Sequence, residues 1–294
     1  MSHVIGGPRI GVPARVRRNA GRAHRARKTT YFFLAAATLV SVFPLYWMFV
    51  VASNGTEAMS QVPPAVVPGG RFFENAGNVF DNVQFLPALL NSFFVAGSIA
   101  VSVVFFSTLA GFAFAKLRFR GRGALFIIVI ATMMVPVQLG IIPLYMIMVR
   151  LGWTNQLQAV VVPMMVTAFG VFWMRQFISG SLPTDLLDAG RVDGCSTFGL
   201  FRHIVVPSVR PAAAVLGLFT FMQAWNDFFW PLVVLRDPSK FTVQIALQQL
   251  NNAYYQDYGM VMAGTALAVV PVIVMFVILG RHIIGGLMEG ALKG

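Results

Sequence analysis

The sequence predicts an all-α, polytopic membrane protein: six transmembrane helices with a long cytoplasmic loop between spans four and five. Three observations carry that expectation. Of the 294 residues, 57% are hydrophobic and only 11% are charged, whereas a soluble domain is roughly 45–50% apolar. Six apolar runs are each long enough to cross a bilayer as helix, which takes about 17–25 residues. The basic residues, finally, sort to one side of those runs.

Residues 1–29 read as a basic cytoplasmic tail without structure, and residues 30–294 as one transmembrane domain. Eight of the 22 Lys and Arg fall in the first 28 residues, which suits a segment lying against anionic headgroups. The net charge of +12 therefore signals orientation at a lipid surface, with no call for nucleic acid. Spans are expected at about 31–52, 88–115, 123–148, 157–177, 212–235 and 260–280. The first of these is too long for a secretory signal, whose apolar core is about 7–15 residues. With the N-terminus inside, 18 basic residues lie on inner segments and four (Arg71, Arg150, Arg236, Lys240) on outer ones. That asymmetry places both termini in the cytoplasm. The outer segments 53–87, rich in Pro, Gly and Asn, and 236–258, with Gln248, Gln249, Asn251, Asn252, Tyr254, Tyr255 and Gln256, read as surface loops able to meet a polar partner or solute.

Catalytic chemistry finds no support. No Gly-Lys pair exists from which to build a phosphate-cradling loop, and no metalloprotease or nucleophile-elbow pattern occurs. A single cysteine, Cys195, excludes an intramolecular disulfide, and the four histidines lack ligand spacing. The carboxylate nearest to a span interior is Asp227, flanked by Trp225 and Trp230 as candidate interface anchors. It either caps the span end or lines a polar path. Asn226 beside it, Pro136 and Gln138 in span three, and Asn91 and Ser92 in span two are further lining candidates, and Pro136 is expected to kink its helix.

The inner segment 178–211 is different. Asp185, Asp188, Arg191 and Asp193 crowd into nine positions there. Pro183 suits a first helical turn, the early aspartates favour the positive end of the helix dipole, and Gly194 suits a left-handed stop. A helix over 184–193 follows. Ser196 or Thr197 then caps a second helix through Phe198, Leu200, Phe201 and Ile204, ended by Pro207. The two meet at Asp193-Gly194 as an elbow at the membrane surface.

The run Leu186-Leu187-Asp188-Ala189-Gly190-Arg191-Val192-Asp193-Gly194-Cys195, followed by Phe201, Pro207 and Pro211, resembles the cytoplasmic "E-A-A, three residues, G" loop of ABC importer permeases. The closest likeness is to the shorter, six-span partner of the maltose-type, carbohydrate-uptake branch. Lys116–Arg122, Met134-Val135-Pro136, Phe172–Phe177, Trp225–Pro231 and the ending from Gly285 stand in the order that family has, so the resemblance covers about residues 30–294. Asp188 stands where the family carries Glu, Gly190 where it carries a second Ala, and Cys195 where it carries another small residue. Glycine in place of alanine weakens a short helix by roughly 0.5–1 kcal/mol.

The resemblance implies a permease subunit of an ATP-driven importer for a sugar or oligosaccharide, in a bacterial inner membrane. Its implied partners are a second homologous permease, two ATPase subunits, an extracellular or periplasmic solute-binding protein and membrane lipid. ATP and Mg would be bound by the ATPase, leaving no cofactor in this chain. Leu186, Asp188, Ala189, Gly190, Arg191, Val192, Asp193, Gly194, Phe201 and Pro207 would form the ATPase-coupling surface. Leu186, Val192 and Phe201 supply apolar contacts there, and Asp188 and Arg191 either polar contacts or an i,i+3 pair. Gly290, Ala291, Leu292 and Lys293 would reach between the ATPase subunits. The alternatives are a secondary transporter or channel without an ATPase, and an importer of a glycerol-phosphate-type solute. The scarcity of ionisable groups within the spans disfavours the first.

Overall fold

The computed structural model describes residues 28–56, 61–251 and 257–291, and among them every regular element is helical. The basic tail before Lys28, the outer residues 252–256 and the terminal Leu292 and Lys293 lie outside the described residues.

The chain forms two bodies, Met1–Tyr46 and Trp47–Gly294. In the first, the opening part of α1 (Lys28–Ser53) exposes Tyr31, Phe32, Leu39 and Val40. A helix apolar all round is suited to hydrocarbon or a partner helix.

The second body begins with the end of α1 and continues through α2 (Phe72–Asn82) and α3 (Phe85–Lys116). Next come α4 (Arg122–Thr132), α5 (Val137–Arg150), α6 (Gln158–Met164) and α7 (Ala168–Ser181). The elbow follows as α8 (Thr184–Val192) and α9 (Thr197–Ser208), leading into α10 (Arg210–Trp225). Two short helices, α11 (Phe229–Val234) and α12 (Val243–Gln249), precede α13 (Tyr258–Ala291).

Helices α1, α3 and the Tyr258–Gly280 part of α13 are long and apolar enough to cross a membrane unbroken. The other apolar runs are bent. Helices α4 and α5 meet at 89°, α6 and α7 at 41°, and α9 and α10 at 75°. The kink expected at Pro136 is thus a right-angle break. Proline disfavours helical backbone in the residue before it and supplies no N–H; α4 stops at Thr132, and Pro136 (φ −59°, ψ 125°) opens the next turn.

Three expectations are corrected. The apolar run 212–235 is not one helix, because α10 ends at Trp225. There Asn226 turns its amide back onto the Met222 carbonyl at 2.8 Å, the local competition that asparagine brings to a helix interior. Pro207 does not end its helix either. The preceding turn, Phe201–Val205, is a π-helix, whose wider spacing accommodates the proline ring, and the chain bends instead at Val209. The outer segments are not only loops: α2 and α12 are helical, and Asn75 of α2 is buried, donating to the carbonyls of Ala52 at 2.9 Å and Asn54 at 3.0 Å.

Helix α3 is the centre of this body, with α7 and α10 packed along it and α13 packed on α10 and α2. Small residues let the backbones approach, as membrane helices require where no hydrophobic force drives them together. A Cβ added to Gly111 of α3 would lie 2.8 Å from the Arg175 backbone nitrogen of α7. Gly170 of α7 presses in the same way on Ser107 and Val103 of α3. Trp225 and Trp230, expected as interface anchors, are buried instead. Trp225 stacks on Phe221 with centroids 5.6 Å apart, and the Trp230 indole N–H donates to the Ala159 carbonyl at 3.0 Å.

Candidate functional site: the elbow and the cavity

The elbow is built from local rules. Pro183, in extended backbone, stands immediately before α8, and Asp185 lies in its first turn. Gly194 (φ +81°) reverses the chain in the left-handed region. Its N–H donates to the Arg191 carbonyl at 3.0 Å and the Cys195 N–H to the Gly190 carbonyl at 2.9 Å, so two of the last free carbonyls are satisfied. The Ser196 hydroxyl oxygen then caps α9 by accepting from the Gly199 N–H at 3.1 Å. Arg191 pairs with Asp188 along α8.

Burial divides the elbow into two faces. Leu187 and Gly190 turn inward; a Cβ on Gly190 would come within 2.6 Å of Leu200 Cδ2 and 2.9 Å of Ile204 Cδ1 of α9. The glycine that looked like a weakness in α8 is what lets α8 lie on α9. Leu186, Val192 and Phe198 point outward, 49%, 88% and 67% exposed, and Asp188, Ala189, Arg191, Asp193 and Pro207 are exposed with them. Phe201 is not on that face. It is buried against the Phe112 ring of α3, centroids 6.0 Å apart, because the wide turn at 201–205 rotates it into the core. Phe198 is the aromatic that the outward face presents, and its position three residues earlier on the same helix is the signal that could have found it.

The elbow is tied to the spans. Lys116, at the end of α3, donates to the Leu182 carbonyl at 2.5 Å, where α7 gives way to α8. The Trp173 indole of α7 donates to the Ala212 carbonyl of α10 at 3.2 Å. The elbow is therefore anchored on α3, through Lys116 and through Phe201 against Phe112, and the helices that enter and leave it are bonded to each other.

The second feature is an open-sided cavity of about 550 Å³ beside the α4–α5 break and the start of α11. Its walls include Gln138 and Ile141 of α5, Met164 of α6, and Asp227, Phe229 and Trp230 around the start of α11. Of the six candidates for a polar lining, the structure brings Gln138 and Asp227 together here. Pro136 makes the break and stays outside the lining, while Asn226 faces Met222 and receives a 3.4 Å hydrogen bond from Gln244. Asp227 lies in the cavity wall just ahead of α11 and does not cap that helix. Asn91 and Ser92 are structural: Asn91 donates to the Ser239 and Phe241 carbonyls, and Ser92 accepts from the Val243 N–H at 2.7 Å.

The outer rim is clamped at Asn155, which adopts φ 60°. Its side-chain oxygen accepts from the backbone N–H groups of Arg236 at 3.1 Å and Asp237 at 3.0 Å, and its carbonyl accepts from Lys240 Nζ at 2.9 Å. Arg236 also donates to the Tyr145 hydroxyl of α5 at 2.8 Å. The carboxyl of Asp237 is held below its ordinary pKa by the Ser239 backbone N–H and hydroxyl, with Lys240 adding to the effect. Among the described residues, no group of three or more His, Cys, Asp and Glu side chains is placed to hold a metal ion.

A multi-pass helical membrane protein with broken spans around a solute-sized cavity, and an elbow on its surface, is a transport permease subunit. More particularly, the chain belongs to the family described as binding-protein-dependent transport system inner membrane component, which matches residues 104–285. It is 32% identical over 273 residues to the arabinooligosaccharides transport system permease protein AraQ of Bacillus subtilis, covering 90% of this chain and 95% of that protein. It is 30% identical over 268 residues to the sn-glycerol-3-phosphate transport system permease protein UgpE of Salmonella typhi, covering 88% and 95%. The fold is shared with a chain of a bacterial ABC transporter involved in the import of the acidic polysaccharide alginate, with a TM-score of 0.75 at 23% identity over 86% of this chain and 94% of that one. The chain is thus a permease of the binding-protein-dependent transport systems.

Proposed function

We propose that this permease spans a bacterial inner membrane six times with both termini in the cytoplasm, and carries half of the path of a neutral sugar or oligosaccharide. Six spans result if each bent pair counts as one crossing, and the 18-to-4 division of basic residues supports the orientation. In this reading α8 and the start of α9 sit in a cleft of a cytoplasmic ATPase that binds ATP and Mg, and closure of two such ATPase subunits moves the elbow as a rigid body. A second homologous permease completes the path, and a solute-binding protein delivers the cargo from outside. This chain's own role is to bind, position and move, with no bond-breaking step.

The observation that carries the reading is the outward ridge of Leu186, Val192 and Phe198. Three large apolar side chains on a segment ringed by charge at the membrane surface have no use in water, and they are ordered by Gly190 and Gly194. The likeness to AraQ supports the sugar; the likeness to UgpE favours a second reading, a glycerol-phosphate-type solute. The test is co-purification from detergent-solubilised membranes, comparing the native chain with a Leu186→Asp/Val192→Asp variant. The variant is expected to lose the ATPase and keep the second permease. Retention of the ATPase by the variant, or a native chain that emerges alone, would overturn the coupling role.

A further inference from the structure

The fold leaves the charge of the cargo open. One relative is named for a neutral oligosaccharide, another for a phosphate ester, and the fold is shared with an importer of an acidic polysaccharide. The cavity is more selective. Among its described lining residues Asp227 is the one ionisable side chain and Gln138 the one neutral amide; the remainder are apolar, and neither lysine nor arginine contributes. The nearby cations of the outer rim are engaged elsewhere: Arg236 with Tyr145, Lys240 with Asn155 and Gln156.

Asp227 stands two residues before Phe229, the first residue of α11, and Trp230 of that helix is pinned to the Ala159 carbonyl. Surrounded by apolar side chains, the Asp227 charge acts over a longer range than it would in water. A carboxylate acceptor and an amide beside the Phe229 ring, which is 55% exposed, suit a solute with many hydroxyls and an apolar ring face. They offer an anion no positive charge.

We infer that Asp227 is a charge filter, which admits neutral or cationic polyhydroxylated solutes to the cavity and rejects carboxylated or phosphorylated ones. The inference rests on the reading of this cavity as part of the solute path. It makes Asp227 a specificity-determining residue and decides between the two cargo readings in favour of the sugar.

The test uses the assembled transporter in nanodiscs at neutral pH, without the binding protein. Saturation-transfer NMR measures affinity for methyl β-galactoside, its C6-carboxylate counterpart methyl β-galacturonoside, and the cationic 2-amino analogue. The native complex is expected to bind the carboxylate at least about tenfold more weakly than the neutral sugar, a conservative value for like charges close together in an apolar wall, and to bind the cation at least as well as the neutral sugar. Asp227→Asn keeps the shape of the side chain and removes the charge, so the three affinities should converge to within about twofold. Asp227→Glu should preserve the order. Equal affinities in the native complex, a spread that survives in Asp227→Asn, or binding of none of the three would overturn the filter. ATP hydrolysis by the co-purified ATPase, measured on the same samples, separates the two claims. If it persists while the filter fails, the importer reading stands and the filter alone falls.

Discussion

At the residue scale, glycines decide how closely this chain packs, and each has a different reason. Gly111 touches backbone, so a side chain there cannot be relieved by a rotamer change; Gly111→Val is expected to lower stability by about 1–3 kcal/mol or more through overpacking. Gly97→Val, with open space around it on the same helix, is the matched control and should not lower stability. Thermal unfolding of the purified permease complex reads both. Gly194→Ala forces a Cβ into the left-handed region at a cost of roughly 1–2 kcal/mol. Because that strain lies at the hinge of the elbow, the ratio of solute moved to ATP hydrolysed should fall further than stability does. At Gly190 two effects oppose each other: alanine would strengthen α8 by roughly 0.5–1 kcal/mol but must displace the ends of Leu200 and Ile204.

At the element scale, the breaks in the apolar runs create the cavity, and their outer ends are stapled. Pro136→Ala restores an N–H and removes the restriction on Val135, which favours a continuous helix where α4 and α5 now meet at 89°. Transport should fall severely while co-purification with partners is retained, because the elbow is untouched. Asn155→Ala removes an acceptor used twice and leaves a Cβ residue at φ 60°; a loss of about 1–3 kcal/mol is expected, read as a lower unfolding temperature. Acidity acts on the same clamp with a defined sign. The Asp237 carboxyl is shifted downward, so its contribution is fully present above the ordinary carboxylate range and disappears as pH falls through its own lowered value. The loop 235–242 should therefore stay ordered at mildly acidic pH, as amide exchange would record.

At the scale of the whole molecule, what was legible in the sequence was what is local. The Gly194 stop, the Ser196 cap and the Asp188–Arg191 pair each depend on residues within four positions of one another, and each has a counterpart in the structure. Gln138 and Asp227 were singled out as polar groups in apolar runs, yet their common cavity depends on two breaks 89 residues apart along the chain, a distance no local rule spans. Burial of Trp225 and Trp230 likewise follows from Phe221 and Ala159, partners supplied by packing. The break before α7 had a local sign in Thr167, whose hydroxyl accepts from the Gly170 N–H at 3.1 Å, but inside an apolar run that sign is easily read as one more helical residue.

The central claim is that the elbow faces the cytoplasm and lies under an ATPase, and the chain carries its own probe for it. Cys195 is the one cysteine of the sequence, exposed, immediately after the Gly194 turn. Its rate of modification by a membrane-impermeant maleimide should be measured in intact cells, in inside-out vesicles bearing the assembled transporter, and in the same vesicles stripped of the ATPase. The account predicts no labelling in intact cells, rapid labelling in stripped vesicles, and at least about tenfold slower labelling when the ATPase is in place. Labelling from outside intact cells, or equal rates with and without the ATPase, would contradict it.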